Sequence, residues 1–500
     1  MLVKTHTEDF QDYLIDASNM PGGKADALYI PESKEELAEI FRTANENKIP
    51  VTISGARTGT VGGAIPFGGY VVSLERFNRI IEIGSDFAIV EAGVILADFQ
   101  RETEARKLFY PPDPTEWSCQ LGGTVATNAS GARSFKYGST RNFVLRLEIV
   151  LGDGEFLTIK RGETFAKDGE ICLKTHSGKE IITKIPTYEQ PNVRKNTSGY
   201  FSAENLDAID LFIGSEGTLG VVYEIELKIL PQPEAFFSGI IFFNNERNLL
   251  DFVNEARKLS FDNRRSRKIN EFDATFIEYF DDKALKFISE KFPDVPDNAV
   301  GAIFFEQECN TLTEDALMLQ WNDLLELHKA NLEQSWFTTT DQDRQKMKDF
   351  RHALPVTVNE WIVRHKQRKV GTDMAVPDEH FEHILNFYRT KLAEYNLEYV
   401  MFGHIGDNHL HVNILPKNDE EMTKAKYAYG RFIAQTLMLD GTISAEHGIG
   451  KLKKHYLYTM MGERYLNEIA EIKKAFDPNG ILGRGNLLDE KFLIDSKSFS

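Results

Sequence analysis

Apolar and polar residues alternate on both sides of Asp407-Asn408 in residues 401–414, MFGHIGDNHLHVNI, which predicts two β-strands joined by a two-residue turn tolerant of positive φ. In that register Gly406 faces His409, Ile405 faces Leu410 and His404 faces His411. One face then carries Phe402, His404, Gly406, His409, His411 and Asn413, and the other Met401, Gly403, Ile405, Leu410, Val412 and Ile414. Opposed side chains have Cβ atoms roughly 4.5–5.5 Å apart, close enough for two imidazoles to share one cation. The helical period replaces alternation in residues 378–395, where Phe381, Ile384, Leu385, Tyr388 and Leu392 form one apolar stripe facing a core. That helix feeds the strand of residues 399–405 and so positions the histidines.

Earlier in the chain, residues 34–48 read as a short helix leading into the strand IPVTISG, followed by YVVSLERF, RIIEI and FAIVEAGV, a helix over residues 95–107 and, later, VYEIELKIL. Pro231-Gln232-Pro233 reads as a linker. Beyond it, GIIFF, a helix over residues 247–259, AVGAIFFEQE and a helix over residues 314–332 predict an antiparallel sheet with helices on one side.

Three glycine-rich tracts interrupt the first half. Gly55-Ala56-Arg57-Thr58-Gly59-Thr60-Val61-Gly62-Gly63 can cradle a pyrophosphate with backbone N–H groups, because glycine permits close approach. It runs into another strand instead of a helix and lacks the Walker lysine, so it is neither a Rossmann nor a P-loop turn. The second tract is Tyr110-Pro111-Pro112-Asp113-Pro114-Thr115 with Leu121-Gly122-Gly123-Thr124-Val125-Ala126-Thr127-Asn128-Ala129-Ser130-Gly131, and the third is Gly214-Ser215-Glu216-Gly217-Thr218-Leu219-Gly220-Val221-Val222. Small residues with hydroxyls and amides suit a flat polar cofactor pressed against backbone.

Composition narrows the function class. Five hundred residues exceed one core, so two or three domains are expected. A formal net charge of −18 disfavours nucleic acid as a partner. No apolar run reaches membrane-spanning length and no signal-peptide pattern opens the chain, which predicts a cytoplasmic protein, with peripheral contact on the inner face of a membrane left open. The dense basic cluster RRSRK, residues 264–268, reads as a solvated turn or a contact for lipid, partner or substrate. Cys119, Cys172 and Cys309 are isolated, which fits a reducing compartment and excludes an iron–sulfur motif. Nine of twelve histidines lie after residue 350, so acid–base or metal chemistry belongs there. His404, His411 and the carboxylate of Glu446, in SAEHG, make a donor set that suits Zn²⁺, Mn²⁺ or Fe²⁺. His409 is a neighbour or a further ligand, Asn413 a contact for substrate or ligand, and His447 a base.

The three tracts, followed by GHIGDNHLHVN and SAEHGIGK, closely resemble the FAD-linked D-2-hydroxy-acid dehydrogenases, whose flavin domain is of the vanillyl-alcohol-oxidase, or PCMH, type. The resemblance covers the chain from about residue 25. It implies an α+β fold: residues 1–230 a two-subdomain FAD-binding domain, 231–455 an antiparallel-sheet cap holding substrate and metal, and 456–500 a segment returning to the FAD domain. It places Ser54, Gly55, Ala56, Arg57, Thr58, Gly59 and Thr60 on the pyrophosphate. Pro112, Asp113, Gly122, Gly123, Thr124, Ala126, Asn128 and Gly131 lie along the flavin and ribityl chain, with Gly217, Gly220, Val221 and Val222 at the isoalloxazine edge. No histidine occurs in residues 51–140, so FAD is expected to be non-covalent. Arg351, in DFRHALP, matches the family's carboxylate-binding arginine. The lysine that dicarboxylate-specific relatives carry two residues before Asp373 is here Gly371, which favours D-lactate, then glycolate, over D-2-hydroxyglutarate. The electron acceptor is a separate quinone, carrier protein or oxygen, and a homodimer is one assembly the resemblance allows. The segment GRGN at residues 483–486 departs from the family's Asn-Pro-Gly-Lys. A reductase or phenol oxidase sharing the flavin domain, or a non-catalytic carrier, would not need the histidine hairpin.

Overall fold

In the computed structural model, which describes residues 1–493 apart from 269 and 339, three sheets organise the chain. The first has the order Leu2–Lys4, Ala27–Ile30, Tyr70–Ser73, Val51–Ser54, its last three strands parallel. Helix Lys34–Glu46 starts where the Ser33 hydroxyl accepts from Glu36 N at 3.2 Å, with two glutamates in its first turn. It buries Leu37, Ile40 and Phe41 against Val51, Val72 and the returning Ile481 and Leu482. Val51 N donates to Ile481 O at 2.7 Å, which ties the C-terminal segment to this sheet; residues 494–500 of that predicted segment lie outside the described residues.

The second sheet is antiparallel, in the order Ile80–Ile83, Phe87–Glu91, Val221–Lys228, Val144–Val150, Phe156–Lys160. The third has seven antiparallel strands: Asn331–Phe337, Ala235–Phe243, Gly301–Cys309, Ala274–Asp281, Tyr399–His404, His409–Ile414 and Val370–Gly371. Two expectations about this region are corrected. Helices cover both faces of the sheet, because its central strands bury side chains on both sides and read as apolar runs, not alternations. Ile241, Phe243, Ile303 and Phe305 join the core of helices Glu246–Arg265 and Glu314–Leu327, while Ile240, Phe242, Phe280 and Phe304 join that of helices Asp282–Ile288 and Asp341–His365. The helix expected over residues 314–332 ends at Leu327, since Lys329 turns left-handed (φ 54°) and Ala330 N closes back on Leu325 O, and Leu332 belongs to an edge strand.

The histidine hairpin also differs from its predicted register. Phe402 faces His411, Gly403 faces Leu410, and His404 faces His409. The loop is a 3₁₀ turn over Ile405–Asp407 closed by Asn408 at φ 54°, four residues instead of two. The wider loop frees carbonyls, and buried Arg257 from helix Glu246–Arg265 takes them: Nη2 donates to Ile405 O at 2.7 Å and Nε to Gly406 O at 3.1 Å. A shift of two residues keeps the parity, so His404, His409, His411 and Asn413 still share one face. The helix Phe381–Glu394 buries its predicted stripe.

Candidate active site

A cavity of about 560 Å³ runs from the first glycine-rich loop to the histidine hairpin. Its wall holds Ser54, Gly55, Ala56, Arg57, Thr58, Gly59, Thr60, Gly122, Gly123, Thr124, Ala126, Gly131, Gly217, Gly220, Val221 and Val222 at one end, and Arg351, His404, His411, Asn413, Glu446 and His447 at the other. A Cβ on Gly59 or Gly123 would meet nothing within 4 Å, so backbone faces open space there, as a cradle for a bound group requires. Gly122 and Gly131 have another reason: a Cβ would fall 2.6 Å from Ala92 Cβ and 1.8 Å from Asp113 O. Three expected residues do not line the cavity. Asn128 caps helix Leu121–Thr127 in a left-handed conformation and accepts from Arg141 N at 3.0 Å. Asp113 accepts from Trp117 Nε1 at 2.7 Å, and the Pro112 carbonyl faces Gln100 Nε2 at 3.5 Å. These groups bond within the wall itself, and Pro114, Thr115 and Glu116 take the lining positions. Asn486, from the divergent GRGN segment, reaches the cavity and donates to Gly63 O at 3.1 Å.

At the other end three imidazoles converge on one carboxylate oxygen. Glu446 Oε2 lies 3.3 Å from His404 Nε2, 3.7 Å from His411 Nε2 and 3.8 Å from His409 Nδ1. One donor atom from each of the four residues lies within 4.8 Å of the others. The remaining ring nitrogen of each histidine faces an acceptor: Glu278 Oε1 for His404, Asp373 Oδ1 at 3.2 Å for His409, and Thr372 O at 3.3 Å for His411. That is how metal-ligating histidines are oriented, and it turns the convergent nitrogens toward the Glu446 carboxylate. His409 is fully buried and its Nδ1 has no hydrogen-bond partner among the described residues, an orphaned atom that a cation among the four donors would relieve.

Electrostatics follow from this packing. Burial alone would lower His404, but Glu278 and Glu446 outweigh it and hold the ring at about 9 when no cation is bound. Burial, then His409 and His447, push His411 well below the ordinary histidine value. Burial opposes the charge of Glu446, but His404 and Lys195 keep it ionised. His447 is lowered chiefly by burial against the partial support of Asp373, whose Oδ2 lies 3.4 Å from Nδ1. Its ring is 37% exposed because it faces the cavity, and it stacks 5.5 Å from His411 at 21°.

Three buried groups were not named as site residues by sequence reasoning. Glu278 lies between His404 and Arg351, whose Nε is 3.1 Å from Oε2. Asp373 accepts from Ser444 Oγ at 2.7 Å, Glu446 N at 3.0 Å, His447 N at 3.1 Å and Lys453 Nζ at 2.6 Å, and so shapes the SAEHG turn. Lys195 Nζ sits 2.6 Å from Glu446 Oε1. No local pattern marks Glu278 or Lys195; an acid inside an otherwise apolar strand, ATFIEYFD, is the signal available for the first, and Asp281 shares it. Lys369 also lines the cavity and has no carboxylate partner among the described residues; burial lowers it. A Cβ on Gly371 would lie 3.4 Å from Lys369 Cε and 3.3 Å from Asn413 Oδ1. The basic cluster does not reach this cavity: Arg264 and Arg265 line a separate surface groove with Arg194 and Arg257.

A family model described as FAD binding domain matches residues 25–160, and one described as FAD linked oxidases, C-terminal domain, matches residues 263–487. The D-lactate dehydrogenase of Anaerostipes hadrus is 31% identical over 484 residues, covering 93% of this chain and 90% of its own length. The glycolate oxidase subunit GlcD of Bacillus subtilis (strain 168) is 28% identical, covering 95% and 91%. The solved structure of p-cresol methylhydroxylase with substrate bound superposes with a TM-score of 0.71 at 13% identity, over 98% of this chain and 94% of that one, a likeness of fold alone. No helix among the described residues is long and apolar enough to cross a membrane. The chain belongs to the FAD-linked D-2-hydroxy-acid dehydrogenases: it is an FAD-dependent oxidoreductase of the D-lactate, glycolate and D-2-hydroxyglutarate dehydrogenase type, with a PCMH-type α+β flavin-binding domain and an antiparallel-sheet cap.

Proposed function

We propose that this enzyme oxidises a D-2-hydroxy acid, D-lactate first and glycolate second, to the 2-oxo acid with non-covalent FAD and a divalent cation, Zn²⁺ before Mn²⁺ or Fe²⁺. The observation that carries the reading is the convergence of His404, His409, His411 and Glu446 on one point of the cavity that the glycine-rich loops also line. The chemistry supplied by the bound groups is hydride acceptance by FAD and polarisation of the substrate hydroxyl by the cation.

The chain's own residues do the rest. Arg351, held by Glu278, presents its guanidinium to the substrate carboxylate. Asn413, beside His411, orients the substrate. His447, whose imidazole is lowered from the ordinary histidine value, is the base of this reading: its ring accepts the hydroxyl proton, and Asp373 beside Nδ1 stabilises the imidazolium that forms. The residues that hold FAD are those of the glycine-rich wall, and the absence of a histidine in residues 51–140 leaves no imidazole there for covalent attachment. Residues 1–230, 231–455 and 456–500 are the flavin, cap and returning segments of this reading, and electrons leave to a separate quinone, carrier protein or oxygen.

A second reading, a dicarboxylate such as D-2-hydroxyglutarate, is favoured by one observation: the Lys369 stem lies beside Gly371 and brings to the cavity an ammonium with no carboxylate partner among the described residues. Anaerobic titration of the purified flavoprotein with D-lactate, glycolate and D-2-hydroxyglutarate tests both. Bleaching of the flavin by D-lactate at the lowest concentration is the expected result; preference for the dicarboxylate selects the second reading, and no bleaching by any of them rejects the activity. Acid precipitation is expected to release FAD into the supernatant, and flavin kept in the pellet would show a covalent link.

A further inference from the structure

The metal donors come from two segments, the hairpin and the SAEHG turn, and one buried cation from a third segment joins them. Lys195, 3% exposed, lies in the loop RKNTSGY. Its Nζ is 2.6 Å from Glu446 Oε1, 3.2 Å from Asp407 Oδ2 in the hairpin turn and 2.8 Å from Gly131 O. The Ser130 hydroxyl donates to the same Glu446 Oε1 at 2.9 Å. Oε1 is thereby occupied twice, whereas Oε2 faces only the imidazoles. The loop is itself strapped to the SAEHG turn, with Thr197 N donating to Ser444 O at 2.9 Å and Gly448 N to Thr197 Oγ1 at 3.1 Å.

We propose that Lys195 is a positioning residue that makes Glu446 a one-oxygen metal ligand. Its ammonium holds Oε1 back, aims Oε2 at the point where His404, His409 and His411 converge, and fixes the hairpin turn at the matching height through Asp407. A carboxylate free to rotate would offer both oxygens or neither, and its orientation would have to be fixed anew at each binding event. Like charge works against this arrangement, because an ammonium near a cation site repels the cation. The cost is limited by the three oxygens around Nζ, and burial makes the alternative, an unpaired carboxylate, worse. The inference rests on the metal site proposed above.

The test reads metal affinity, not turnover. Zn²⁺ binding to the FAD-loaded enzyme is measured by competition with a chromophoric chelator for wild type, Lys195→Met, Ser130→Ala, Glu446→Ala and the double variant Lys195→Met/Glu446→Ala. The expected results are a 10- to 100-fold loss of affinity in Lys195→Met, a smaller loss in Ser130→Ala, and no further loss when Lys195→Met is added to Glu446→Ala. A general structural defect would instead lower affinity equally in both backgrounds, which would overturn the proposal. Unchanged affinity in both Lys195→Met and Ser130→Ala would also overturn it. If Lys195→Met fails to retain FAD, Ser130→Ala alone decides, by the same criterion in the presence and absence of Glu446. Absence of Zn²⁺, Mn²⁺ and Fe²⁺ binding in the wild type would refute the metal reading itself, a result distinct from either.

Discussion

Glu278 faces His404 Nδ1 with one carboxylate oxygen and Arg351 Nε with the other, the second contact at 3.1 Å. One buried acid thus orients both His404, a ligand of the proposed metal site, and Arg351, the arginine proposed for the substrate carboxylate. Burial works against its charge, but His404 and Arg351 keep it ionised, its carboxyl held far below the ordinary range. Glu278→Gln keeps the shape and removes the charge. We expect metal affinity to fall about 10- to 100-fold and KM for the hydroxy acid to rise about tenfold. Chelator competition and steady-state kinetics check this; unaltered values for both would show that neither partner needs the carboxylate.

His447 carries the proton in the proposed reaction without belonging to the four-donor cluster. His447→Asn is expected to retain metal and FAD and to slow anaerobic flavin reduction by about 10²- to 10⁴-fold. Stopped-flow absorbance measures the step directly. A reduction rate equal to wild type would move the base elsewhere, with Lys369 one of the other titratable groups on the cavity wall.

Lys369 separates the two substrate readings. Its ammonium faces the cavity without a carboxylate partner among the described residues, at the place a side chain on residue 371 would share. In Lys369→Met the ratio of kcat/KM for D-2-hydroxyglutarate to that for D-lactate is expected to drop at least tenfold, about the contribution of one charge-assisted contact. Equal losses on both substrates would place the lysine on the shared carboxylate or the flavin instead.

Asp281 gives the fold a pH dependence away from the site. Burial raises its carboxyl to about 7, although Ala284 N at 2.7 Å and Met401 N at 3.1 Å donate to it; nearby Asp282 adds to the rise and Arg389 opposes it. An unfolded aspartate titrates near ~3.9. Between those values the folded chain keeps a proton that the unfolded chain releases, so this contribution is complete below about pH 4 and is lost as pH rises through about 7. Asp281→Asn is expected to shrink the stability difference between pH 5 and pH 8 by about 2–3 kcal/mol, measured by urea unfolding. An unchanged slope would show that Asp281 is already ionised in the folded protein.

The sequence by itself determined much of this protein. Glycine-rich tracts in fixed order marked loops that line the central cavity, because loops that approach a bound group closely restrict which residues fit. Period-two alternation put His404, His409, His411 and Asn413 on one face, since the pleat fixes that parity whatever the loop length. The helical stripe from Phe381 to Leu392 was legible for the same local reason. What the tertiary structure decided depends on partners distant in sequence. Arg257 satisfies the carbonyls of a four-residue turn and so moves the hairpin register by two. Glu278, Lys195 and Asp373 lie 126, 251 and 73 residues from the groups they orient, and only burial together selects them from the other acids and lysines. Asp113 and Asn128 sit in tracts that read as cofactor contacts, yet their side chains bond within the wall. Local spacing fixes which face a residue takes; which group it meets there is set by chain segments that approach only when the core has formed.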